Sequence, residues 1–179
     1  MFTSRRIFVA IGATALVGCA AQAPTGRPPA LGVAAGPAEI ARFDISIPPS
    51  GAGLPPGSGT ARQGTAVYAA KCVACHGEKG AGKPADALAG GIGSLATAKP
   101  VRTVGSYWPY SSTLFDYVRR AMPITNPLSL SDDEVYAVSA YVLFLNGIVG
   151  EDAVMNPQTL PLVKMPNRDG FINAREDKR

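Results

Sequence analysis

The stretch KCVACHGEKG, residues 71–80, holds two of the chain's three cysteines and its only histidine. Cys72, Cys75 and His76 place two thiols and an imidazole within five positions, so whatever they bind organises the fold around it. Three chemistries use such a run. A structural zinc needs four ligands; here there are three, with no second histidine to complete the set. A redox dithiol of the C-x-x-C kind sits in a βαβ context, whereas the surroundings read as helical and glycine-rich. The third chemistry is the attachment of a c-type haem, in which the cysteines add to the two vinyl groups and the adjacent histidine falls under the iron.

The amino terminus bears on the choice. Residues 1–18 read MFTSRRIFVAIGATALVG, with Arg5 and Arg6 ahead of an apolar run from Ile7 to Gly18. A run of about a dozen residues is shorter than the roughly 20 that span a bilayer, and it fits the apolar region of an export signal. It ends in Leu16-Val17-Gly18-Cys19, which resembles the bacterial lipobox. That resemblance implies cleavage before Cys19 and lipidation of that cysteine, hence a periplasmic, membrane-anchored lipoprotein. Ser4-Arg5-Arg6-Ile7-Phe8 is also similar to a twin-arginine signal. Haem is attached outside the cytoplasm, so export of the unfolded chain by the Sec route is the expected order.

Residues 19–59 are rich in Ala, Pro and Gly with few charges, a composition that offsets little ordering entropy. They read as a disordered tether, with Phe43-Asp44-Ile45-Ser46-Ile47 as one short strand-like segment. Arg5 and Arg6 account for half of the net charge of +4, and no long basic run follows, so nucleic acid is not an expected partner.

Residues 60–150 carry helix signals. Thr60-Ala61-Arg62-Gln63 is a capping-box pattern that starts a first helix, with Gly64, Val67, Tyr68 and Lys71 on one face. A middle helix over Ser112–Ala121 stops at Met122-Pro123, because proline disfavours the α conformation before it. Ser131-Asp132-Asp133-Glu134 caps a last helix that Asn146-Gly147 ends. Between Gly77 and Gly105 lies a glycine-rich loop without strong period. The fold class is all-α: three to four helices with a thin apolar core that one covalent haem c, held by Cys72 and Cys75, would fill. Residues 151–179 form a polar tail with apolar anchors, suited either to wrapping the domain or to lying on a partner.

The axial ligands follow by counting. His76 is the proximal candidate. Met122, Met155 and Met165 compete for the distal position. Met122, between the middle and last helices, gives the simplest closure, and Met155 reads as core. Trp108 and Tyr110 are candidate walls of the haem site, and Arg102, Arg119 or Arg120 could meet a propionate. No acid–base pair or poised nucleophile stands out, so no catalytic residue is assigned.

The order of capped helix with Gly64 and Tyr68, C-x-x-C-H, glycine loop, Met122-Pro123 and capped last helix with Tyr141 resembles class I cytochrome c. The resemblance implies that the first and last helices cross at Gly64, near Tyr141. It also implies that a proline carbonyl, here that of Pro84, accepts from the proximal histidine. The stretches GLPPGSGTARQG, TVGSYWPYSSTLFDYVRRAMP, LSDDEVYAVSAYVLFLNGIVGEDAVM and LPLVKMPNRDGFI resemble the cytochrome subunits of molybdenum sulfite dehydrogenases, Sox-type enzymes included. This implies an electron carrier whose partners are a molybdenum sulfite dehydrogenase catalytic subunit and a downstream cytochrome or oxidase. Two alternatives stand beside it: a stand-alone lipid-anchored cytochrome c serving another dehydrogenase or an oxidase, and a haem enzyme or sensor with an open iron position.

Overall fold

The computed structural model describes residues 32–172; the signal, Cys19 and the first part of the tether lie outside them. The chain divides between Gly36 and Pro37, and the second unit holds the secondary structure described here. Its elements are α1 (Pro37–Phe43), β1 (Gly59–Thr60), α2 (Ala61–Lys71), α3 (Val73–His76), α4 (Val104–Tyr107), α5 (Ser111–Ala121), α6 (Asp132–Leu145) and β2 (Val154–Met155), with 3-10 turns at Glu78–Gly80, Ser94–Ala96 and Leu160–Leu162. The unit is all-α apart from β1 and β2, a two-residue antiparallel pair with Gly59 opposite Met155.

Local chemistry sets the ends of the long helices. Thr60 and Gln63 cap α2 reciprocally: the Thr60 amide donates to Gln63 Oε1 at 2.8 Å and the Gln63 amide to Thr60 Oγ1 at 3.3 Å. Ser131 and Glu134 do the same for α6 at 2.8 and 3.2 Å. A third box, Thr103 with Ser106, starts α4. At the far end of α6, Gly147 takes φ 67° and its amide donates to the Phe144 carbonyl at 2.8 Å. Asn146 does more than stop the helix. Its buried amide donates to the Leu88 and Val142 carbonyls at 3.0 and 2.9 Å and accepts from the Gly90 amide at 3.1 Å, pinning the glycine loop to α6.

The crossing of α2 on α6 is the centre of the fold. Gly64 is buried, and a Cβ there would lie 2.6 Å from the Ala137 carbonyl carbon and 2.8 Å from Tyr141 Cβ. A Cβ on Gly59 would meet Ala137 too, 2.5 Å from its Cα. Two glycines thus let β1 and α2 lie against the α6 backbone, and Tyr68 packs on Tyr141 with ring centroids 5.2 Å apart. Phe115 of α5 meets Tyr136 of α6 at 4.4 Å on the other side.

One expectation is corrected. Residues 44–59 are no loose tether. Ile47 is buried and its amide donates to Asp116 Oδ1 at 2.7 Å. Ser112 Oγ donates to the Pro49 carbonyl at 2.8 Å, and the Tyr136 hydroxyl to that of Pro55 at 2.9 Å. Prolines fix φ and lower the entropy of the unfolded chain, so the composition that suggests disorder serves an extended arm. α1, just ahead of this arm, presents no buried side chain. Of the two courses open to the tail, residues 155–165 lie on their own domain: Met155, Leu160 and Met165 are buried, and Ser111 Oγ donates to the Leu160 carbonyl at 2.6 Å. Leu162, Phe171 and Ile172 stay exposed.

Candidate haem site

α2 delivers Cys72 directly into the single turn of α3. The Cys75 and His76 amides donate to the Cys72 carbonyl at 3.1 and 2.9 Å, which sets both thiols and the imidazole on consecutive faces of one turn. Gly77 then turns with φ 70° and ψ 169°, a conformation open to glycine, and a Cβ there would lie 2.5 Å from the Gly82 carbonyl oxygen. The chain folds back: the Gly82 amide donates to the His76 carbonyl at 2.7 Å and the Ala85 amide to the Cys75 carbonyl at 2.9 Å. The Tyr68 hydroxyl closes the turn from α2, donating to the Gly77 carbonyl at 2.8 Å.

His76 Nδ1 lies 2.9 Å from the Asp86 carbonyl oxygen. A carbonyl only accepts, so Nδ1 carries the proton and Nε2 keeps its lone pair for a metal. This corrects the expectation for Pro84. The bond from Ala85 back to Cys75 carries the chain past Pro84, the Ala85 carbonyl accepts from the Lys83 amide, and the carbonyl of Asp86 comes to the ring. Backbone atoms make this contact, so no residue type signals it.

Cys72 and Cys75 are unbridged. Burial, and secondarily the neighbouring Cys75, push the Cys72 thiol up to about 11, so it is no low-pKa redox thiolate. Among the described residues no three His, Cys, Asp or Glu side chains converge as a metal-binding group, the arrangement a zinc site requires.

Met122 caps the C-terminal end of α5 with extended backbone, ψ 145°, and is half-buried. Met155 and Met165 are packed into the apolar core. Among the described residues, Met122 is therefore the thioether left outside that core. Trp108 packs edge-on against Tyr117 at 5.8 Å. Tyr110 goes another way: Arg168 of the tail lies over its ring at 4.3 Å, so one ring face is committed there. Arg119 and Arg120 are paired, with Asp132 at 3.1 Å and Asp116 at 2.9 Å respectively, and Arg102 lies over Tyr107.

The donor set fits a haem of the c type: two unbridged thiols on one helical turn, an imidazole whose free nitrogen is defined, and a thioether outside the core. Ile92, Val101 and Ile124 of the connecting segments and Tyr117 of α5 are between 45% and 72% exposed, apolar surface of the kind a flat apolar group covers. Fold and donor set together define a class I cytochrome c.

Comparison with known proteins agrees. Residues 59–142 match the family model described as cytochrome c oxidase, cbb3-type, subunit III. A chain in the crystal structure of the sulfane dehydrogenase SoxCD from Paracoccus pantotrophus is 43% identical, with a TM-score of 0.76 over 83% of this chain and 74% of that one. No curated protein matches. The chain belongs to the cytochrome c family, whose cofactor is haem c and whose work is electron transfer.

Proposed function

We propose that this chain carries one haem c, bound through Cys72 and Cys75 with His76 and Met122 as axial ligands, and accepts electrons from a periplasmic molybdenum dehydrogenase that oxidises sulfur. The observation that carries the reading is the 43% identity to a chain of a sulfane dehydrogenase over 83% of the present chain, which reaches beyond residues 59–142. The sequence resemblance names sulfite as substrate and the solved relative is a sulfane dehydrogenase; oxidation at sulfur is common to both. When bound, haem supplies a one-electron iron couple, and methionine–histidine ligation suits it to a fairly high potential. The residues here hold, orient and shield. The Asp86 carbonyl fixes the His76 ring, Tyr68 fixes the turn, and the α2–α6 crossing holds Cys72 against the domain. A two-electron oxidation at sulfur then requires two successive one-electron transfers to the cytochrome, which hands each on to a downstream cytochrome or oxidase.

The test mixes the oxidised cytochrome with the dehydrogenase's molybdenum subunit and either sulfite or a sulfane-bearing substrate, and follows haem reduction. Reduction with one of them is expected; none with either, while dithionite still reduces the haem, overturns the assignment.

The same reading puts the protein on a membrane through Cys19, in the periplasm, after removal of residues 1–18. Bacterial lipoproteins carry more than one acyl chain, and a single chain gives only marginal binding. Cys19→Ser is expected to shift the protein from the membrane fraction to the soluble fraction with haem content unchanged. A wild-type protein that fractionates as soluble contradicts the anchor.

A further inference from the structure

α5 ends in Met122, and its two faces are held by different parts of the chain. Leu114 and Phe115 are buried in the core that α6 completes. The polar face, one turn after another, is tied to the arm that precedes the domain. Ser112 Oγ donates to the Pro49 carbonyl at 2.8 Å, Asp116 Oδ1 accepts from the Ile47 amide at 2.7 Å, and Arg119 reaches the Ile45 carbonyl at 3.5 Å. Ser112 and Asp116 are both buried, Asp116 is the charged one of the two, and its carboxylate also holds Arg120. Burial works to raise this carboxyl, but Arg120, the Ile47 amide and Arg119 outweigh it and hold it below the usual carboxylate range.

We propose that Asp116 is a positioning residue for Met122: by locking α5 to the arm at Ile47, it fixes where the helix ends and so where the thioether stands relative to the iron. The inference rests on Met122 being an iron ligand. Apolar packing alone sets the distance between α5 and α6 but resists sliding and rotation weakly, since apolar contact is non-directional. Hydrogen bonds to fixed carbonyl and amide groups are directional. The last turns of α5 carry the directional ties nearest Met122: Asp116 holds the Ile47 amide and Arg120, and Arg119 reaches the Ile45 carbonyl and Asp132 of α6. Beyond Met122 the chain leaves the helix, and Ile124 and Leu128 are 72% and 61% exposed, so the next apolar side chain packed on the core is Leu130, eight residues on. The arm is thereby part of the ligand-holding machinery.

The experiment uses the full-length holoprotein as wild type, Asp116→Ala and Met122→Ala. Each is heated while the iron–sulfur charge-transfer band of the oxidised protein and the far-ultraviolet helix signal are followed together, and carbon monoxide binding to the reduced protein is timed. In the wild type, band and helix signal are expected to disappear together. In Asp116→Ala the band should vanish at a clearly lower temperature than the helix signal. Carbon monoxide should bind it about tenfold faster, as a larger population with the sulfur displaced requires. A merely structural role predicts something else: both signals shifted down together and an unchanged carbon monoxide rate, which overturns the proposal. Met122→Ala should lack the band at every temperature; if it keeps the band, the ligand reading itself fails and the positioning role with it. Should Asp116→Ala not fold, Ser112→Ala, which loses the neighbouring tie of α5 to the same arm at Pro49, replaces it. Separation of the two signals in that variant supports the proposal, and coincidence overturns it.

Discussion

Gly64→Val leaves α2 and α6 unable to cross as they do. The first atom of any side chain at this position would overlap the Ala137 carbonyl group and stand 2.8 Å from Tyr141 Cβ. Ala137 is helix backbone here, so no rotamer change relieves the overlap; the helices must separate. Glycine inside a helix costs about 1 kcal/mol against alanine, so local propensity alone would favour replacement. Overpacking costs typically 1–3 kcal/mol and occasionally more, and the overlap is with backbone, which places this site at the upper end. A loss of about 3 kcal/mol or more is expected, a large share of the 5–15 kcal/mol that holds a typical domain. Separation would also pull the Tyr68 ring from Tyr141 and with it the hydroxyl that fixes Gly77. Denaturant unfolding of the holoprotein measures the effect. Gly150→Ala is the control, since nothing lies within 4 Å of a Cβ there; it should be neutral within about 0.5 kcal/mol. A Gly64→Val midpoint equal to wild type would refute the close crossing.

What the sequence reveals here is what local pattern encodes. Thr60 with Gln63 and Ser131 with Glu134 satisfy each other's orphan groups across three residues, so both helix starts are readable from short windows and both are observed. Met122 before Pro123 marks the end of α5 for the same local reason. Gly64 is an anomaly inside a helix, and the anomaly points to the crossing. The box of Thr103 with Ser106 is harder to see, because serine stands where glutamate or glutamine usually does.

The arm and tail are illegible for the opposite reason. Ile47 is buried by a partner 69 residues away, and Ser111 meets Leu160 across 49. No window on the Pro/Gly-rich arm carries that information, and a segment with few apolar residues can still dock when each is placed on a preformed surface. Leu160 and Met165 look like scattered anchors in a polar tail, yet both join Met155, which reads as core, in the core. In the candidate site, the side-chain ligands are readable from C-x-x-C-H, whereas the Asp86 carbonyl is not, because the loop geometry that brings it to His76 comes from backbone bonds among Cys75, His76, Gly82 and Ala85.

The central claim is that this fold is built around one haem bound covalently at Cys72 and Cys75. Each thiol stands on the turn that also presents His76, and each can add its S–H across a vinyl group, sulfur to one carbon and hydrogen to the other. The intact mass of the protein after denaturation and removal of all non-covalent material tests this directly, on wild type and on the Cys72→Ala, Cys75→Ala double variant produced alongside a haem-attachment system. The wild type is expected to carry the added mass of one haem and to stain for haem on a denaturing gel; the double variant should carry none. A wild-type chain of bare polypeptide mass, or a double variant that keeps covalent haem, would contradict the account.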